Sequence, residues 1–380
     1  MGIEGLFAFF RGIVGEDEES VIKLCEFSAL RGKKAAFDVS GTVHAHYSIA
    51  AKVALKAIDL QQDYVDTMRL TMDNACINSM INYFISMMNT GCYPVVVFDG
   101  EKPKSKKIAH DKRDKTKLRN EERLSKLFEE FDNIEPIDRT QKMINELKTL
   151  MASSSKPSPG FYDRFYQLLS STGIPCIKSR YESDIVCATL AKMKIVDVVI
   201  SKDGDMLAHG SPLVVTDTRV MAEGERCIKY IYLDDVLTLL GMDYKQFRDF
   251  CIYCGCDYGP GVPGCRAKTL FKLYKECGSI SAMIEKYETK YDFENALYSK
   301  CRKEFSTKKL KNIVARDYEL NEELIRWRGV KFDKSCKSIL KDMGLGYRYA
   351  SLKSAINSLV KHAPEDFPNN DGGSGGEDFD

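Results

Sequence analysis

Tyr93-Pro94-Val95-Val96-Val97-Phe98-Asp99-Gly100 is an unbroken apolar, β-branched run that stops abruptly at an acid. Continuous rather than alternating hydrophobicity predicts a strand buried on both faces, as inside a parallel sheet covered by helices. The same pattern recurs elsewhere. Ala35-Ala36-Phe37 leads into Asp38, and Ile195-Val196-Asp197-Val198-Val199-Ile200 leads towards Asp203 and Asp205. Helical stretches separate these runs, so the alternation predicts an α/β fold with a mainly parallel central sheet flanked by helices. One acid at a strand end is ordinarily a helix cap or turn residue. Three strands ending the same way point instead to a shared crevice, because open α/β sheets bind ligands beyond the carboxyl ends of their strands.

With 380 residues, 44% hydrophobic and 29% charged, the chain has an ordinary globular composition, long enough for two domains or one with an insertion. Its 56 Lys+Arg against 55 Asp+Glu leave a net charge of +1, so nucleic-acid binding would have to come from local patches. No apolar run approaches the ~18 residues of a membrane-spanning helix, and the start lacks a basic region followed by a signal core, so an intracellular protein with no membrane association is expected. Leu6 stands where a myristoylation signal wants Ser or Thr. The 13 cysteines are scattered through apolar stretches and read as reduced core residues. Cys251, Cys254 and Cys256 have no second pair at a zinc-finger distance, and their neighbours Phe250, Ile252 and Tyr253 predict a buried helix.

Neither Gly nor Pro occurs between Lys104 and Glu135, so this stretch is predicted to be helix. Its basic residues concentrate early: Lys102, Lys104, Lys106, Lys107, Lys112, Arg113, Lys115, Lys117, Arg119 and Arg123 against Asp111, Asp114, Glu121 and Glu122. A solvated helix with ion pairs would explain them. The excess of positive charge directly after Asp99 favours a phosphate-attracting arm over the acidic crevice. Met151 to Gly160 is then predicted to be a loop. From Tyr244 to Lys286 two helices are interrupted by Gly259-Pro260-Gly261-Val262-Pro263-Gly264, and the second carries Lys268, Lys272 and Lys275. Backbone N–H groups at such a helix start are suited to holding phosphates without reading bases. Mixed-charge helices follow to about Lys361, and a flexible acidic, glycine-rich end closes the chain.

Asp38, Asp99, Glu182, Asp184, Asp203, Asp205 and Asp257 are the candidates for chemistry. Glu182 and Asp184, like Asp203 and Asp205, are one residue apart, so in an extended segment both members of a pair would project to one side. Carboxylates gathered without His or Cys favour hard cations, Mg2+ or Mn2+ rather than zinc. Two such ions ~3.5–4 Å apart can straddle a phosphodiester. No histidine has an evident partner acid and nucleophile, and no GxxxxGK[ST] loop is present, so triad hydrolysis and nucleotide triphosphatase chemistry have no support.

Met1-Gly2-Ile3-Glu4-Gly5-Leu6, Phe98-Asp99-Gly100, Tyr181-Glu182-Ser183-Asp184, Ser201-Lys202-Asp203-Gly204-Asp205 and Gly255-Cys256-Asp257-Tyr258 precede the glycine-rich hairpin in a fixed order. From residue 1 to about residue 360 this set resembles flap endonucleases and their relatives, the FEN/XPG superfamily of structure-specific 5′ nucleases. The resemblance implies a PIN-like nuclease core with a helical arch insertion and a helix-two-turn-helix DNA-binding motif. It divides the chain into nuclease regions 1–100 and 151–243, an arch or gateway over 101–150, a duplex-binding region over 244–290, a C-terminal helical region over 291–363 and a tail over 364–380. It implies two Mg2+ ions, with Mn2+ able to substitute. Asp38, Asp99, Glu182 and Asp184 would mainly hold one, and Asp203, Asp205 and, through water, Asp257 the other.

Lys106 and Arg113 fall at the family's two basic positions on the gateway helix, where they would contact the scissile phosphate and stabilise transition-state charge. His44, six residues after Asp38, would stack on a base near the cut. Gly2, Lys102, Lys104, Lys107, Gly261, Gly264 and Lys268 would contact DNA. Three departures stand out. Gly264-Cys265-Arg266 replaces the Gly-Ile-Gly of many relatives, where backbone carbonyls hold a potassium ion. Asp184 stands where the flap branch commonly has Glu. No Gln-x-x-Leu/Ile-x-x-Phe-Phe motif is present to dock a sliding clamp.

The expected activity is 5′ flap endonuclease, with 5′-3′ exonuclease activity, cutting branched or flapped DNA at single-strand/duplex junctions as a monomer in replication, repair or recombination. The expected compartment is the nucleus, or a cytoplasmic replication site if the chain is virally encoded. A mainly exonucleolytic or junction-resolving enzyme, a PIN-type ribonuclease and a catalytically silent DNA-binding scaffold remain alternatives, the last opposed by an acid at every metal position.

Overall fold

A computed structural model describes residues 2–13, 20–57, 65–100, 106–135, 138–154, 156–220, 226–306, 327 and 330–363. Seven strands form one sheet: β1 (Lys23–Glu26), β2 (Lys34–Asp38), β3 (Tyr93–Phe98), β4 (Cys176–Lys178), β5 (Val198–Ile200), β6 (Leu213–Val220) and β7 (Arg226–Tyr232). Their order is β1-β7-β6-β5-β2-β3-β4. From β4 across β3, β2 and β5 to β6 every pairing is parallel, and only β7 runs against its neighbours β6 and β1. The chain moves outward from β2 to β3 and β4, then returns to the other side of β2 for β5 and β6. The order therefore reverses between β2 and β5, the position at which α/β sheets open a crevice.

All six residues of β3 are buried, which is why its sequence is continuously apolar. Val96 and Phe98 face α2 (Val39–Ala57) and α3 (Val65–Thr90) in one core, while Val95 and Val97 face the opposite core with α7 (Ser183–Lys192). That second core also takes α1 (Leu6–Ile13), the short α8 (Asp205–Ala208), α9 (Leu233–Leu240) and α10 (Tyr244–Cys254). The arm is a long helix, α4 (Lys107–Asp132), packed on α5 (Gln141–Ser154), with α6 (Phe161–Thr172) leading back into β4.

The structure corrects two predicted boundaries. The strand predicted from Ile195 begins only at Val198, because Lys194 turns at φ 59° and Asp197 is engaged at the strand entrance. There its carboxylate accepts from Lys34 N at 2.7 Å, and its own N–H donates to Lys34 O at 2.9 Å. Met151 to Ser154, predicted as loop, continue α5, since Met151 and Ala152 bury their side chains in the core of α2 and α3. The C-terminal tail over 364–380 lies outside the described residues. Among the described residues no helix is long and apolar enough to cross a membrane.

Candidate metal centre

The carboxyl ends of the parallel strands deliver the acids to one edge. Asp38 is the last residue of β2 and is buried, whereas Asp99, one residue past β3, is exposed. Beyond β4, Glu182 is the residue immediately before α7 and Asp184 sits in the first turn of that helix. Past β5, Asp203 precedes Asp205, which opens α8. Asp257 lies just after α10 in the turn that follows Gly255. The two acid pairs are thus not in extended segments as predicted. Each straddles a helix start, where free N–H groups favour negative charge: Ile185 N donates to Asp184 Oδ1 at 2.8 Å and Asp205 N donates to Asp203 Oδ1 at 3.0 Å.

Ser183 joins two of these strand ends. Its hydroxyl lies 2.7 Å from Asp38 Oδ1 and 2.6 Å from Asp99 Oδ1, and its N–H donates to Asp99 Oδ1 at 2.8 Å. Ser40 donates a further hydrogen bond to Asp99 Oδ2, and the Gly41 N–H reaches both Asp38 oxygens at 3.2 Å. A β-carbon on Gly41 would overlap the Asp38 carboxylate, so glycine is required there by close approach. Gly2, at φ +84°, is likewise pressed against the Asp203 carboxylate.

Lys106, immediately before α4, is 3% exposed and inserts into the acids. Its Nζ is 2.8 Å from Glu182 Oε2, 3.4 Å from Asp184 Oδ2 and 3.6 Å from Asp257 Oδ2. It also lies 4.9 Å from the centre of the Tyr258 ring, whose hydroxyl donates to Glu182 Oε2 at 3.2 Å. Although burial opposes its charge, Asp184 and Glu182 raise the Lys106 pKa, so it stays an ammonium. Among the described residues, Lys106 by itself does not neutralise this many acids. Burial, then Asp99 and Asp184, push Asp38 up to about 7. Burial and Asp184 push Glu182 up to about 7 despite the adjacent ammonium. Burial also raises Asp203, and burial with Asp203 raises Asp205 far above the carboxylate range. Asp184 is lowered: burial, the largest effect, works against it, but Lys106, His209 and the Ile185 N–H together outweigh burial.

Both oxygens of Asp205 are fully buried without a hydrogen-bond partner. Leaving such a group unpaired is costly, and an oxygen-only cluster short of positive charge is chemically suited to a hard divalent cation. Among the described residues no group of three acids, histidines or cysteines is arranged to hold a metal ion as it stands. The Lys106 ammonium occupies the middle of Glu182, Asp184 and Asp257, and a cation there would require its displacement.

The remaining predicted residues lie around this centre. His44 is exposed on α2. Lys107 and Arg113 belong to α4, but their side chains lie outside the described residues, as do Lys102 and Lys104 entirely. Between α10 and α11 (Ala267–Cys277) the chain turns over Gly255 to Arg266, wider than the predicted break. Gly264, at φ +71° with open space beside it, and Lys268 are exposed. Gly261 is buried, and its carbonyl accepts from Asn295 Nδ2 at 2.9 Å. Cys251 and Cys254 are buried on α10. Sequence reasoning assigned no role to Ser183, Ser40 or Tyr258. The available signal was position, a small hydroxyl between two acids and a tyrosine directly after Asp257.

A parallel sheet with acids converging at its switch point, interrupted by a long basic helix and followed by a glycine-rich helical hairpin, defines a PIN-like α/β nuclease architecture. The XPG N-terminal domain matches residues 1–120 and the XPG I-region matches residues 173–257, together more than half of the chain. The chain belongs to the FEN/XPG superfamily of nucleases. It is 27% identical over 366 residues to flap endonuclease 1 of Kluyveromyces lactis, covering 95% of this chain and 87% of that one. It is 26% identical over 354 residues to flap endonuclease 1 of Plasmodium knowlesi, covering 85% of this chain but 56% of the relative, so it spans about half the length of that protein. The catalytic core of Rad2 in complex with DNA substrate superposes with a TM-score of 0.54 at 18% identity, covering 94% of this chain and 99% of that one.

Proposed function

We propose that the chain is a divalent-metal-dependent 5′ nuclease that hydrolyses phosphodiesters of flapped or branched DNA at single-strand/duplex junctions. The convergence of seven carboxylates on the carboxyl edge of the sheet, with one buried ammonium among them, carries this reading. Nucleases of this family depend on divalent metal. Two Mg2+ ions, replaceable by Mn2+, suit the all-oxygen donors: Asp38, Asp99, Glu182 and Asp184 would hold mainly one, Asp203, Asp205 and Asp257 the other. When bound, such ions activate water and stabilise the leaving oxygen. Lys106, with Arg113, holds a proton-rich donor against the scissile phosphate and stabilises charge that develops there. Gly2 keeps the approach to Asp203 narrow, and His44 offers a ring to an adjacent base.

The region over 101–150, with Lys102, Lys104 and Lys107, would clamp the single strand. The region over 244–290 would hold duplex through the backbone near Gly261 and Gly264 and through Lys268, with a potassium ion at the hairpin carbonyls. Phosphate contacts position a duplex without reading it, so shape rather than sequence selects the substrate. We further infer a monomer acting in the nucleus in replication, repair or recombination.

The test is cleavage of an end-labelled double-flap DNA, compared with a recessed duplex, a four-way junction and an RNA flap, with chelator and Asp99→Ala controls. Mg2+-dependent incision mapped to the base of the flap supports the proposal. Equal cutting by Asp99→Ala overturns it, and preference for the recessed end or the junction moves the chain to another branch of the superfamily.

A further inference from the structure

We propose that Ser183 is a positioning residue: its hydroxyl fixes the carboxylates of Asp38 and Asp99 relative to each other for one divalent cation. This rests on the metal centre proposed above. Ser183 is 2% exposed, and both of its polar donors point at strand-end acids. The two acids come from different strands, β2 and β3, and no hydrogen bond described between them links one to the other directly. A single oxygen atom lies 2.7 Å from Asp38 Oδ1 and 2.6 Å from Asp99 Oδ1 and so ties one oxygen of each acid to the same point.

The hydroxyl carries one hydrogen, so with both carboxylates ionised, as in a metal-bound site, the two contacts share one donor. Ser183 is therefore not simply satisfied by its surroundings, since one acceptor would have been enough for that. Its N–H is also one of the free donors of the first turn of α7, and Asp99 takes it. Asp99 is the exposed acid of the group, with most freedom to swing away, and it receives both Ser183 contacts and the Ser40 hydroxyl. Groups that orient metal-binding carboxylates from behind typically change metal affinity 10–100-fold when removed.

The experiment measures Mn2+ binding to metal-free protein by electron paramagnetic resonance and calorimetry, alongside flap cleavage as a function of Mg2+. The proteins are wild type, Ser183→Ala, Ser183→Cys, Ser183→Thr and Asp99→Ala. Ser183→Ala and Ser183→Cys, which lose a strong donor with and without loss of volume, are expected to weaken one Mn2+ site about 10–100-fold. Half-saturation in Mg2+ should rise correspondingly while the rate at saturating Mg2+ recovers towards wild type, and Ser183→Thr should restore both. A purely structural role would lower the melting temperature without moving the Mg2+ half-saturation, and that result overturns the proposal. So does wild-type Mn2+ affinity in the Ala and Cys variants while Asp99→Ala loses binding. If Asp99→Ala also binds Mn2+ like wild type, it is the metal centre itself that fails.

Discussion

Lys106 Nζ lies 2.8 Å from Glu182 Oε2, so a buried ammonium rests directly against the acids. It is held there by attraction to several acids at once. In this position it competes with any metal ion for the same oxygens, while being indispensable to charge stabilisation if it contacts the phosphate.

Those two roles separate in Lys106→Met. Cleavage at saturating Mg2+ should fall about 100- to 1,000-fold, the usual cost of removing one transition-state donor. Mn2+ affinity, measured by calorimetry, should hold or rise because a competing cation has gone. Loss of Mn2+ binding would assign Lys106 to the architecture of the site instead.

The metal-free protein should lose stability as pH rises from about 4 to about 7. Asp38 and Glu182 have ordinary values of 3.8 and 4.5 but sit near 7 when folded, so across that interval the unfolded chain gives up protons that the folded one keeps. Stability from this source is complete below the ordinary values and is lost as pH passes the folded ones, at about 1.4 kcal/mol per pH unit for each group. Asp184, lowered beside Lys106, acts in the opposite sense only in more acid solution. Melting curves in chelator at pH 5 and pH 7.5 should show the higher value at pH 5, and excess Mg2+ should abolish or reverse the difference.

Gly2→Ala should cost about 100-fold in cleavage, the scale of an ångström-sized misplacement near a reacting centre. The added carbon overlaps the Asp203 carboxylate, and φ +84° strains any side chain. Circular dichroism should report an unchanged fold. Wild-type kinetics would show that the chain near Gly2 shifts freely.

Lys268→Ala should weaken binding to flapped and plain duplex alike and reduce the slope of log affinity against log salt by about one, as expected for one lost phosphate contact. A change confined to particular sequences would argue for base contacts by α11.

Asp38, Asp99 and Asp203 were legible because each interrupts or follows an apolar run, and three runs that end in the same way outweigh the ordinary reading of each acid as a cap or turn residue. Strands β4 and β5 carried less signal. Each has only three residues, and β4 takes its place by pairing with β3 rather than by its own pattern. β6 and β7, which pair antiparallel, were missed because Asp217, Arg219 and Lys229 break their apolar runs, as on strands not buried on both faces. The acids of the site could be read one by one, but Ser183 could not, since its importance depends on two strands meeting in front of it. The burial of Lys106 was similarly hidden, because nothing in a run of lysines distinguishes the one that turns inward.

Asp257 is carried by the turn of the helical hairpin, and the same turn accepts Glu4 N at Gly255 O, 2.9 Å away, in the segment that also sets Gly2 against Asp203. The hairpin proposed to grip duplex and the acids proposed to cut are thereby tied together by a backbone hydrogen bond as well as by their nearness in sequence. An enzyme of the proposed kind built this way would measure its product like a ruler: the count of nucleotides from a duplex held at the hairpin to the severed bond would be set by the fold, indifferent to how long the loose strand happens to be.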